Sequence, residues 1–189
     1  MAVGYSDEQV DRAIRLLAHL PGEAQRAMAR GINRALEGAR ASAAKQIRRT
    51  YRISARAVKK TISLRRATRS QLSAEVKSVA PRVPLFAFGP RPSEPGTGGK
   101  GKPVLRVGVR RKGGRKRLAG AFVVRLGGKL HVARRKGSTR FPLETLYGPA
   151  VPQMMGVESV TREVEKVATE RLADRLEHEI NRALQKAAR

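Results

Sequence analysis

Apolar residues recur along the chain with two different periods, and the change of period divides it. Ala24, Met28, Ile32, Ala35, Leu36, Ala39, Ala43, Ile47 and Tyr51 fall three or four residues apart. That spacing is the stripe of one helix of about 30 residues. A shorter helix precedes it, with Val10, Ala13, Ile14 and Leu17 inward, Ser6 as its cap and Gln9 at the capping-box position, ending near Pro21 and Gly22. The closing stretch returns to the long period: Val157, Val160, Val164, Val167, Leu172, Leu176, Ile180 and Leu184 predict a last helix, again of about 30 residues. Gly31 and Gly38 lie beside the stripe of the second helix. Each costs about 1 kcal/mol against alanine there, so they mark either a close approach of another backbone or simple tolerance.

Between the long helices the period shortens. Ser54 caps a short helix with Val58 and Ile62 inward, and a basic turn follows it. Leu72, Ala74 and Val76 then alternate as on a half-buried strand. Pro81 and Pro84 keep "PRVPLFAFGP" extended but bar it from the middle of a sheet. Leu105, Val107 and Val109 alternate again. The clearest local signal is "AFVVRLGGKLHVAR": Phe122, Val124 and Leu126 alternate, Gly127 and Gly128 allow a two-residue turn, and Leu130 and Val132 return as a β-hairpin.

These elements predict an α+β fold, with a small antiparallel β-sheet set between a long N-terminal helical region and a long C-terminal helix. One domain is expected overall, with a helical region 1–69, an antiparallel β region 70–140, a Pro-rich segment 141–156 and a C-terminal helix 157–189. Two loops interrupt the β region, a flexible Gly/Pro-rich one at 90–103 and a basic one at 110–119.

An apolar share of 40% is enough for a core, which argues against wholesale disorder. Charge changes the picture more. The formal net charge is +26, yet Arg40 to Arg69 and Lys100 to Arg140 contain no acid, whereas the last helix balances its signs. The positive field therefore belongs to the middle of the chain, where it suits phosphate backbones or acidic protein surfaces. Cysteine is absent, which rules out a disulfide frame or a thiolate metal site. The N-terminal residues lack the basic-then-apolar order of an export signal, and no run approaches the roughly 18 apolar residues of a membrane span.

Candidate chemistry mostly fails on inspection. "GTGGKGKP" imitates a phosphate-binding loop, but Pro103 stands where a hydroxyl should meet the metal, and a strand rather than a helix follows. His19, His131 and His178 lie in unrelated elements without ligand spacing. The acids of the last helix pair with bases at ordinary helical spacing. No catalytic residue, cofactor site or metal site is assigned. "VRRKGGRKR" and "KQIRRTYRISARAVKK" could each line a phosphate backbone, but an aromatic share of only 4% gives little support for stacking on bases. Arg110, Arg111, Lys112, Arg115, Lys116 and Arg117 are the candidates for contact with DNA or an acidic partner.

The segment "RFPLETLYGPAVPQMMG" is nearly free of charge. Phe141, Leu143, Leu146 and Tyr147 are too apolar for a solvated linker, and Pro142, Pro149 and Pro152 reduce the entropy lost when it is fixed. Phe141, Leu143, Leu146, Tyr147, Pro149 and Pro152 are therefore candidates for docking against another subunit or the protein's own core.

Four pieces in order resemble one family: the helix carrying "GINRALEGARASAAKQIRRTYRISARAVKKTISLRRAT", a strand ending in "RVPLFAF", the hairpin with its "RRKG" and "PLETLYGPAVPQM" continuation, and the charged closing helix. Together they resemble the prophage minor tail protein Z family from roughly Leu20 to the end, most specifically over Phe122 to Gly156. The resemblance implies a non-enzymatic tail-completion protein of a tailed phage, acting at the head-proximal end of the tail. It implies assembly in the host cytoplasm, a place in the virion, no membrane, and partners among the tail tube and the terminator or neck proteins. A ring-forming subunit follows, with a hexamer the expected homo-oligomer and genome DNA a possible neighbour in its channel. Two other readings stand beside it: a sequence-independent nucleic-acid-binding protein, and a minor tail component at the distal baseplate.

Overall fold

The computed structural model describes residues 2–3, 7–18, 22–96 and 104–187. In chain order its elements begin with β1 (Ala2–Val3), α1 (Asp7–Leu16), α2 (Glu23–Thr50), α3 (Ala55–Lys60), β2 (Ile62–Arg65), β3 (Ala74–Ser78) and β4 (Arg82–Pro84). A 3-10 turn (Leu85–Phe88) follows, then β5 (Arg106–Val107), β6 (Lys116–Arg117), β7 (Ala121–Leu126), β8 (Lys129–Arg135), β9 (Leu143–Thr145), β10 (Tyr147–Ala150), α4 (Val151–Met155) and α5 (Glu158–Ala187). The fold is mixed, as expected, but among the described residues the strands form four small antiparallel sheets rather than one. The chain gathers into two compact units, Met1–Ala44 with Lys59–Val79 and Gly156–Arg189, and Lys45–Val58 with Ala80–Met155. The predicted cap Ser6, His19 and the Pro21 break lie outside the described residues.

The first unit is built on its helices. The whole predicted stripe of α2 from Ala24 to Ala43 is buried, as are Val160, Val164, Leu172, Leu176 and Ile180 of α5. Arg30 meets Glu179, and Gly38 lies under Arg171. Advance along one helix thus matches retreat along the other, so α2 and α5 run antiparallel. Four of these seven stripe positions on α2 are alanine, and small side chains let packed helices approach closely. At one end Ala13 and Leu17 of the α1 region join Ala24, Ala27, Met28, Leu176, Ile180 and Ala183 in a single apolar cluster.

Several positions depart from expectation. Ile14 is 48% exposed and Leu184 39%, because Ala13 and Ala183 take the inward places. A Cβ on Gly38 would meet the side chain of Arg171 at 2.5 Å, so the glycine admits an arginine stem rather than a second backbone. Ile62 does not end a helix: it opens β2, which pairs with β3 from Ile62↔Ser78 to Arg65↔Glu75. With two apolar residues and then "RR", that strand carries too little alternation to be read. The turn after β2 is held by an amide clamp: the Asn33 side-chain N–H donates to the Ala67 carbonyl at 3.0 Å, and the Ala67 N–H donates to the Asn33 oxygen at 2.9 Å.

The second unit carries the hairpin. Gly127 and Gly128 both have positive φ, 53° and 75°, which the two-residue turn requires. Its pairing, Val123↔Val132 and Val124↔His131, corrects the predicted faces. Leu130 and Val132 share a face with Val123, not with Phe122, Val124 and Leu126. "AFVV" is an unbroken apolar run, so alternation could not choose the inward face. Among the described residues β4 pairs only with β10, consistent with its prolines, and the chain then enters the 3-10 turn that buries Leu85 and Phe88. The Pro-rich segment is β9, β10 and α4, tied in by Leu146 N–H to the Val132 carbonyl at 2.8 Å and Leu85 N–H to the Leu146 carbonyl at 2.9 Å. Val151 and Met154 of α4 are fully buried.

Candidate functional site

Positive charge is concentrated in the second unit. Its sequence has 22 Lys and Arg against two acids, Glu94 and Glu144, a net +20, while the first unit has 19 against 13, a net +6. The six predicted basic residues all lie in this unit, all are exposed, and none makes an ion pair among the described residues.

Their loop is ordered by its own arginines rather than by apolar contacts. Arg110 forms a bridge with Tyr51 and sets its guanidinium 6.0 Å from the centre of that ring. Arg111 donates its backbone N–H to the Thr50 carbonyl at 2.8 Å and its Nε to the Arg48 carbonyl at 2.6 Å. Those carbonyls lie in the last turn of α2, where the helix leaves acceptors unpaired and the dipole favours a cation. Arg52 donates its backbone N–H to the Val109 carbonyl at 2.9 Å, and Arg115 Nε donates to the Gly89 carbonyl at 3.3 Å. A Cβ on Gly108 would lie 2.5 Å from the Gly114 carbonyl, so the two limbs of the loop can close only over glycine. The side chains of Lys112, Lys116 and Arg117 make no such contact among the described residues, and all three residues are exposed.

"RKGGRKRLAG" therefore is not a plain loop, since Lys116 and Arg117 form β6 against β5. Sequence reasoning missed a consequence of this register. Arg106 stands directly opposite Arg117 on one side and opposite Arg91 on the other. Arg91 and Arg106 exchange both backbone hydrogen bonds at 2.8 Å. Directly paired residues project from the same sheet face, so Arg91, Arg106 and Arg117 stand abreast, all exposed, while Leu105 and Val107 turn inward. Only the alternation of Leu105, Arg106 and Val107 was visible beforehand.

The predicted docking residues separate by exposure. Phe141 is 61% exposed, with the Arg140 guanidinium 5.7 Å over its ring, and Tyr147 is 50% exposed. Leu143 and Pro149 in the strands, Leu146 between β9 and β10, and Pro152 in α4 are half-buried. An apolar contact offered to another molecule would rest on the two aromatic rings. His131 is half-buried in β8, and His178 is exposed on α5. Among the described residues no group of three or more His, Asp and Glu could hold a metal ion, and no helix is long and apolar enough to cross a membrane. The phosphate-loop imitation from residue 97 onward lies outside the described residues.

Compared with protein families, residues 9–189 match the one described as Prophage minor tail protein Z. No curated protein and no solved structure matches the chain.

Proposed function

The chain belongs to the prophage minor tail protein Z family, matched from residue 9 to its last residue, and on that premise we propose that it completes the tail at its head-proximal end. As a minor tail protein it is a structural component of the phage tail and hence of the virion. In the proposed role it forms a ring, a hexamer, that meets the tail tube on one side and terminator or neck proteins on the other. The match over nearly the whole chain carries this reading. The exposed rings of Phe141 and Tyr147 support it by offering a subunit contact on a folded segment. A head-to-tail interface of this kind closes into a ring when its rotation allows.

A density map of the assembled virion with this chain located in it tests the position. A ring at the junction of tail and head is the expected result, and a site at the baseplate would overturn the proposal. For the contact, Phe141→Ser with Tyr147→Ser should leave monomer melting within about 1 kcal/mol of the parent, since both rings are exposed. The same variant should lower the ring fraction in native mass measurement. Unchanged assembly would remove these residues from the interface.

A further inference from the structure

We infer that Arg91, Arg106 and Arg117 form a binding row for the phosphate backbone of duplex nucleic acid, read without regard to base sequence. The inference rests on the register of β5 and its neighbours, not on the position of the protein in the tail. Three successive segments bring one arginine each to the same sheet face, paired Arg91↔Arg106 and Arg106↔Arg117. Neighbouring strands lie about 4.8 Å apart, so the row is roughly 10 Å long. Like charges directly opposite each other destabilise a sheet. None of the three guanidinium groups has an ion pair or a side-chain hydrogen bond among the described residues, so no acid there offsets that repulsion. An anionic partner would.

The surroundings favour nucleic acid over an acidic protein. Protein interfaces have an apolar centre depleted in charge, whereas nucleic-acid interfaces are polar and strongly positive. From Val104 to Gly120, Val104 is the one large apolar residue prominently exposed, at 41%, too little for an apolar centre, and Arg110, Lys112, Arg115 and Lys116 extend the field. Guanidinium suits phosphate oxygens through its planar fork of donors. Tyr51, bridged to Arg110, and Phe88, next to Gly89, are buried, so neither offers a platform on which unpaired bases could stack. Contact therefore falls on the regular backbone of a duplex, which positions the protein but conveys no sequence.

The test is the salt dependence of binding to a 25-base-pair duplex of arbitrary sequence, followed by fluorescence anisotropy with the full chain. Each phosphate neutralised contributes a slope of about −0.9 in log affinity against log salt. R91Q/R106Q/R117Q should flatten the slope by about 2.7, so that between 50 and 200 mM salt the parent loses about 40-fold more affinity than the variant. A charge-matched control, R34Q/R175Q/R182Q, alters three exposed arginines of the first unit and should change the slope by less than about 1. Equal changes in both variants would reduce the effect to net charge and overturn the row. Displacement of the parent by polyglutamate, lost in the row variant while duplex binding is unchanged, would overturn it in favour of an acidic protein. If the triple variant does not fold, R106Q alone removes the middle member and should flatten the slope by about 0.9; no change there refutes the inference.

Discussion

Gly148 and Gly38 offer two alanine substitutions with equal clashes and opposite expected outcomes. At both positions a Cβ would lie 2.5 Å from its nearest neighbour, about 1 Å inside ordinary contact. In β10 the neighbour is Cε2 of Phe88, with Cζ at 3.0 Å and Cδ2 at 3.3 Å. Phe88 is 1% exposed, so its ring has nowhere to turn and must carry its packing with it. Overpacking of this kind costs about 1–3 kcal/mol. Gly148 has no positive φ, and removal of a glycine from a strand returns only about 0.5–1 kcal/mol. The net for Gly148→Ala is a loss of about 1–2 kcal/mol. In α2 the neighbour of Gly38 is Cδ of Arg171, on an exposed flexible side chain that can swing into water. The helix gains about 1 kcal/mol in propensity, so Gly38→Ala should be neutral or stabilising. Urea unfolding of both variants measures the difference, and a Phe88→Leu partner should recover part of the Gly148→Ala loss as a coupling of 0.5 kcal/mol or more. Gly148→Ala as stable as the parent, or no coupling to residue 88, would refute the packing argument.

Asn33→Ala should cost about 1–3 kcal/mol by leaving both backbone groups of Ala67 without a partner. Thermal melting checks it, with Asn33→Asp, which keeps the acceptor for the Ala67 N–H, expected to fall between the two. Arg30 lies 2.5 Å from Glu179, whose side chain is only 6% exposed, so Arg30→Met strands a buried carboxylate and should destabilise by more than Glu179→Gln in the same assay. The hydrogen bond from Arg26 holds the Glu23 carboxyl below its ordinary range; burial opposes this, and the nearby charges of Arg26, Lys186 and Arg30 add to it. A depressed carboxylate contributes stability that is present above its unfolded pKa of about 4.3 and is lost as pH falls through the lower folded value. The melting-temperature gap between the parent and Glu23→Gln should therefore narrow from pH 5 to pH 3, and a gap that widens would reverse the sign of the argument.

The long helices were legible because eight positions of α2, and Tyr51 just beyond it, keep one period and are all buried, and that redundancy survives single exceptions such as Leu184 in α5. The hairpin was legible because "GG" between two alternating runs has one common backbone solution. What escaped was structure made by the backbone alone. β6 is "KR", with no apolar residue to reveal it, and β10 contains Gly148 and Pro149, which propensity assigns to a turn. β10 exists because its glycine fits against Phe88 and its one partner, β4, sits at an edge where proline costs little. The arginine row was invisible for a related reason. Arg91, Arg106 and Arg117 share no periodicity in sequence, and only register places them side by side.

That register also separates two uses of positive charge that composition merges. A net +20 on one unit opposes its own compaction. Part of that charge is spent inside the fold, where Arg111 closes the last turn of α2 and Arg115 reaches the Gly89 carbonyl. These cations act as hydrogen-bond donors at sites already rich in acceptors, so their removal should be felt in folding. Lys112, Lys116 and the three paired arginines have no such contact among the described residues. No ion pair among the described residues relieves their repulsion. A basic sequence run is thus not one feature but two, a scaffold of arginines holding the loop and a face of arginines free to meet an anion, and substitution of the whole run would confound them.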